Sequence, residues 1–171
     1  LRRQMIRNFR KPLIVMTPKS LLRHKLATST VDELANGAFQ NIIPEFDDIK
    51  AKDVRKVILC SGKVYYDLLE QRRKNKQKDI AIIRIEQLYP FPKDEFRKVI
   101  KKYKQAKEVI WCQEEPQNQG AWYSSQHHFR ADLLPGQELN YVGRDHFAAP
   151  AVGSMGLHLE QQQQLVNEAL K

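Results

Sequence analysis

The chain has 171 residues, 42% hydrophobic and 29% charged, which suits one domain with a single core burying roughly 70% of its unfolded surface. No apolar run approaches the ~20 residues of a membrane span, and the opening LRRQMIRNFR, with no apolar stretch behind its charges, does not read as a signal peptide. The net charge of +9, from 29 Lys and Arg against 20 Asp and Glu, permits long-range attraction to anions, but the cations are scattered and not interleaved with aromatics, which argues against a nucleic-acid reader.

Residues 1–11 begin as if in mid-helix and read as the end of a linker helix, in a chain expected to be a piece of something longer; residues 12–171 read as one domain. An apolar run at 13–16 is the first predicted strand. After it, Thr17-Pro18-Lys19-Ser20, with Arg23 and His24 one turn on, makes a turn able to meet an anion. Thr30-Val31-Asp32-Glu33 carries a helix N-cap signal, and Asn36-Gly37 and Pro44 break the chain beyond it. This long connection therefore holds one helix and an irregular loop.

The second strand, 57–60, ends in Cys60-Ser61-Gly62-Lys63. Backbone N–H groups at a helix start, a small hydroxyl and an ammonium favour phosphate or carboxylate, although the glycine spacing of a nucleoside-triphosphate loop is absent. The following helix places Val64, Leu68 and Leu69 on one face and ends in Arg72-Arg73-Lys74, read as solvated cations that offset the helix dipole. Lys101, Lys102 and Lys104 read the same way one helix later. The third strand, 80–85, carries Arg84 near its carboxyl end, and Pro92 opens a helix with Phe96, Val99, Ile100 and Tyr103 at helical spacing.

The fourth strand, 109–112, runs into Glu114-Glu115, Pro116 and the turn Gln117-Asn118-Gln119-Gly120. Neighbours on an extended strand point to opposite faces, so Glu114 and Glu115 make no acid/base dyad; one is expected to accept hydrogen bonds from loop amides and the other to meet a basic partner. A helix is predicted over 121–134, a fifth strand over 139–142 and an amphipathic helix over 158–171. His127 and His128 diverge by ~100° as helical neighbours and share no ligand, and no nucleophile-elbow or zinc-helix motif accompanies them. Cys60 and Cys112, each ending a buried strand, read as reduced core thiols. Strands alternating with helices predict parallel β-α-β units in a three-layer α/β sandwich. On such a sheet the 17–23 turn, the 61–63 turn and Arg84 could converge on one carboxyl edge, where open α/β sheets bind ligands. The residues themselves make no convincing active site.

RKPLIVMTPKSLLRH at 10–24, VDELANGAF at 31–39, CSGKVYYDLLEQRR at 60–73, AIIRIEQLYPFP at 81–92 and WCQEEPQNQGAWYSSQHHFR at 111–130 together carry a close resemblance. They are similar to the C-terminal region of the thiamine-diphosphate-dependent decarboxylating component of 2-oxoglutarate dehydrogenase, and RDHFAAPAVGSMG at 144–156 fits that family's looser tail. The resemblance covers essentially the whole chain. It implies a transketolase C-terminal-like fold: a three-layer α/β/α sandwich around a five-stranded mixed sheet with one antiparallel strand, which replaces the all-parallel expectation. It implies a homodimeric parent enzyme of the tricarboxylic acid cycle that binds thiamine diphosphate and Mg²⁺ on earlier domains, decarboxylates 2-oxoglutarate and passes the succinyl unit to a lipoyl group of the dihydrolipoyl succinyltransferase component. This piece would then be inactive alone and would support assembly and regulation, in bacterial cytoplasm as the glutamine-rich tail hints, or in the mitochondrial matrix if eukaryotic. The other reading of the residues is a stand-alone nucleotide- or CoA-binding α/β module.

The resemblance also implies an adenine nucleotide or acetyl-CoA effector near this domain. Its assignment to Thr17, Lys19, Ser20, Arg23, Ser61, Lys63 and Arg84 comes from the residues. Glu114, Glu115, Asn118, Gln119 and Trp122 are expected at an interface with the rest of the enzyme.

Overall fold

In the computed structural model, which describes residues 2–171, four of the five apolar runs become strands and the first does not. The strands are β1 (Ile42–Ile43), β2 (Lys56–Cys60), β3 (Ile80–Ile85), β4 (Glu108–Pro116) and β5 (Glu138–Arg144). They pair in the order β1-β3-β2-β4-β5, with β1 antiparallel to β3 and the other pairs parallel. The five-stranded mixed sheet with one antiparallel strand is thus present, but its antiparallel member is not the 13–16 run. Leu13, Ile14, Val15 and Met16 lie outside the sheet and are between 49% and 91% exposed. The edge position goes to two isoleucines preceding Pro44, and the carbonyl of Asn41 prolongs the pairing by accepting from the N–H groups of Glu86 and Gln87.

The helices are α1 (Arg2–Met5), α2 (Val31–Asn36), α3 (Val64–Lys74), α4 (Lys93–Ile100), α5 (Trp122–Asp132) and α6 (Met155–Ala169). At the predicted N-cap of α2, the Thr30 hydroxyl accepts from the N–H of Glu33, whose carboxylate accepts from the N–H of Thr30. Helix α6 starts at Met155, earlier than its apolar pattern predicts. Ser154 caps it, and the exposed Met155, Leu157 and Leu159 give its first turns no buried stripe to announce them.

Alternation along the strands sorts the core into two faces. Val57, Leu59, Ile83 and Trp111 cluster with Phe96 and Ile100 of α4 and Phe129 of α5. Ile58, Ile82 and Ile110 cluster with Leu68 of α3 and Leu165 and Ala169 of α6. Two helices therefore cover each face, which is the three-layer sandwich.

Arg72 corrects a second expectation. It is not a solvated helix-end cation but 1% exposed. Its guanidinium donates to both carboxylate oxygens of Glu45, to Asp47 and to the carbonyl of Ile80, while Arg73 also donates to Asp47. Burial works against the Arg72 charge, but Glu45 and then Asp47 outweigh it and raise its pKa. Glu45 also accepts from the N–H of Ile82 at 2.7 Å, so this ionic knot pins the irregular connection before β2 onto β3.

Candidate functional site at the carboxyl edge of the sheet

Cys60 stands in register with Arg84 on one side and Cys112 on the other, and Cys112 with Val142; β2, β3 and β5 end within two residues of that level, while β4 runs on to Pro116. The chain leaving each strand contributes polar groups to the edge beyond. Lys63, after β2, places its ammonium 2.6 Å from Glu114 of β4 and 2.9 Å from Asp67 one helical turn on. The Gln162 amide of α6 donates to both of those carboxylates at 2.8 Å and accepts from Arg144 of β5 at 3.0 Å. Glu114 thus meets the basic partner anticipated for one of the paired glutamates. Burial alone would lower the Lys63 pKa; hydrogen bonds to Glu114 and Asp67 outweigh it and raise the value above 10.5. Lys63 is therefore a fixed cation at neutral pH and no general base.

Arg84 lies on the other side of the start of α3. Its guanidinium sits 2.9 Å from Glu86 and 4.6 Å above the ring of Tyr65, with Tyr66 at 5.5 Å. The His24 ring lies 5.0 Å from that of Tyr66 and 3.6 Å from the Glu70 carboxylate. The turn at Lys19–Arg23 leads directly into His24, and Leu21 and Leu26 pack against the same core face as α3. Lys63, Arg84 and His24 are thereby gathered around α3, while Thr17, Lys19, Ser20 and Arg23 are exposed on the adjoining segment.

The 114–122 stretch is organised by a residue that the sequence reading passed over. Gln113 is 3% exposed and uses both ends of its amide. Its oxygen accepts from the Trp111 indole at 2.8 Å and the Trp122 N–H at 3.1 Å, and its nitrogen donates to the carbonyls of Pro116 and Gln119. Gly120 has φ +65°, and a Cβ there would lie 2.9 Å from the Gln113 amide, so the turn needs glycine on both counts. The only sequence signal for Gln113 is a polar residue continuing a buried apolar strand.

Of the residues assigned to an interface, Trp122 is 5% exposed and packs on Tyr141 inside this domain. Asn118 exchanges two hydrogen bonds with the backbone of Phe147, whose carbonyl also accepts from Gln119. These three therefore make contacts within their own domain, and Glu115 and Asn118 are the exposed members of the set. The rings of His127 and His128 approach to 3.9 Å between centroids, closer than their helical divergence predicts, with His128 stacked on Phe91. Both cysteines are free and buried. Burial pushes the Cys60 thiol well above its ordinary value and the Cys112 thiol to about 12, so neither is a nucleophile at neutral pH. Among the described residues no three His, Cys, Asp or Glu side chains gather as metal ligands. No described helix is long and apolar enough to cross a membrane.

The family model for the C-terminal part of 2-oxoglutarate dehydrogenase matches residues 28–170. The chain belongs to the 2-oxoglutarate dehydrogenase C-terminal family. Within that family it is 58% identical over 170 residues to the 2-oxoglutarate dehydrogenase E1 component of Haemophilus influenzae, with 99% of this chain covered. It is 56% identical over 173 residues to the E1 component of Coxiella burnetii, with all of this chain covered, and 54% identical over 172 residues to that of Azotobacter vinelandii, with 99% covered. The chain spans 18% of the length of each of these relatives. The family match takes in Lys63, Arg84, Gln113 and the whole network around Gln162, and begins after the 17–23 turn.

Proposed function

We propose that this domain is the assembly and effector-binding, non-catalytic part of a 2-oxoglutarate dehydrogenase. The assembly role rests on one observation. Met5, Ile6, Ile14, Met16, Leu22, Val31, Leu34, Phe39 and Phe46 are each more than 70% exposed. So much uncovered apolar surface on one arm marks an interface, and relatives more than five times longer supply the polypeptide to cover it. In the parent enzyme thiamine diphosphate with Mg²⁺ supplies the carbanion chemistry of decarboxylation from other domains. The succinyl product passes to the lipoyl group of a dihydrolipoyl succinyltransferase. The relatives are bacterial, which supports a cytoplasmic setting for the parent; its homodimeric state is what the family resemblance implies.

The effector reading places AMP or acetyl-CoA against α3. Exposed Lys19 and Arg23 are free to swing onto a phosphate, and Thr17, Ser20 and Ser61 offer hydroxyls beside it. Arg84 and Lys63 already hold carboxylates, so a phosphate there must displace Glu86 or share Lys63 with Glu114. In the full-length protein, Lys63→Ala combined with Arg84→Ala should weaken acetyl-CoA or AMP binding by tenfold or more in calorimetric titration. Unchanged affinity removes these residues from the site. The isolated chain should release no CO₂ from 2-oxoglutarate when thiamine diphosphate and Mg²⁺ are supplied.

A further inference from the structure

The run Leu13-Ile14-Val15-Met16 has the composition of a strand and lies in no helix or strand. Its side chains are 49, 83, 57 and 91% exposed in turn, the two-residue period of extended chain. Ile14 and Met16 therefore share one face, and Leu13 and Val15 the other. The backbone is as uncovered as the side chains. Among the described residues the backbone from Leu13 to Thr17 makes no hydrogen bond, and the nearest are those accepted by the carbonyls of Lys11 and Pro18. Pro12 and Pro18 have no N–H, so they bound a stretch of five open donors.

Open backbone alone suits a surface loop, but a loop has no need of four consecutive apolar side chains. A strand with one wet face alternates apolar with polar residues. One that is apolar on both faces is buried on both, in a sheet with helices on each side. The sheet of this domain does not take the run. Leu21, Leu26 and Ala27 pack against the core face beneath α3, so the chain joins this core only beyond Pro18. The residues matched as the family's C-terminal part begin at 28, whereas the Coxiella burnetii E1 component aligns across the whole chain, the run included. The run thus belongs with the polypeptide that comes before this domain.

We infer that residues 13–17 form a strand on the open edge of a helix-covered β-sheet in the polypeptide that precedes this domain in the same chain. The inference rests on the assembly reading above and names its contact. Main-chain pairing supplies the acceptors for the open N–H groups, and the two apolar faces of the run lie under helices on either side. The prolines fix the length of the pairing at five residues. The β5 edge of a second copy is the competing acceptor. Covalent continuity favours the same chain, because a tethered acceptor is present at an effective concentration on the order of millimolar.

Amide hydrogen exchange in the full-length protein, resolved to single residues, decides this, with trypsin cleavage after Lys19 and Arg23 followed on the same sample. At least two alternate amides among residues 13–17 should exchange about a hundredfold or more slower than in an unstructured peptide of the same sequence. Slow cleavage with peptide-like exchange at 13–17 would overturn the strand and leave the assembly reading standing. Fast cleavage with fast exchange would remove both. Of Ile14→Pro and Val15→Pro, one deletes a pairing N–H whichever way the strand faces, and that variant should lose slow exchange along the run. Val15→Thr keeps the β-branched preference for extended chain and should retain it. Slow exchange that survives in both proline variants would overturn main-chain pairing. A photoreactive benzophenone amino acid in place of Met16 identifies the acceptor. Irradiation should give an internal cross-link at the mobility of one chain, and a product of two joined chains would overturn the assignment to the same chain.

Discussion

Gln113 shows how much of this edge depends on one uncharged side chain. Its amide closes five possible hydrogen bonds between a strand, a turn and the start of α5. Gln113→Leu leaves the Trp111 indole and several carbonyls without partners, and should cost about 1–3 kcal/mol in denaturant unfolding, since an unmade buried hydrogen bond is charged in full. A loss below a few tenths of a kcal/mol would mean that water takes over its role. The thiols make a second test at this scale. Cys60 and Cys112 should resist iodoacetamide at pH 8 in native protein and react only on unfolding, read by intact mass, because burial holds both pKa values far above that pH. Their core placement was legible from the ends of two apolar runs. The roles of Gln113 and Arg144 were not, because a lone polar residue in or after a buried strand carries no pattern. Only the fold shows which atoms it reaches.

Among the elements, the parallel core strands were legible because each is a compact apolar run with β-branched residues between turn signals. The edge strand was hidden for the opposite reason. A pair of residues hydrogen-bonded on one side needs no long apolar run, whereas 13–16 has the composition of a strand but no place in the sheet. The connection before β2 depends instead on charge. Arg72→Ala would strand Glu45 beside β3, and breaking a buried pair in this way should cost about 3–5 kcal/mol in chemical denaturation. The same knot predicts an acid sensitivity. The hydrogen bond from Arg73, and then that from Arg72, hold the Asp47 carboxyl below its ordinary 3.8 against the opposing effect of burial. A depressed carboxyl stabilises the fold above its unfolded pKa, and that contribution disappears as pH falls through the folded value. Stability should therefore drop in the window below pH 3.8, and Asp47→Asn should flatten that part of the curve, measured as denaturant midpoint against pH.

At the scale of the whole molecule the apolar arm and the finished sandwich behave as different parts. Lys19 and Arg23 lie on exposed chain among exposed Met16 and Leu22, so trypsin should cut the isolated chain first there. If the arm is covered in the longer protein, the same peptide bonds should be cut at least tenfold more slowly, as followed by mass spectrometry. Equal rates would deny the assembly role. The carboxyl edge carries a different consequence, one of order in time. Gln162 lies 95 residues beyond the Asp67 it binds and 48 beyond Glu114, while Gln77 is held by the carbonyl of Leu170, 93 residues away. During N-to-C synthesis β2, β3 and β4 can associate well before α6 emerges, and until then Arg144 and the two carboxylates beside Lys63 await their shared amide. The last described helix is the one that completes the edge, so a nascent chain carries an unfinished site however well its central sheet has formed.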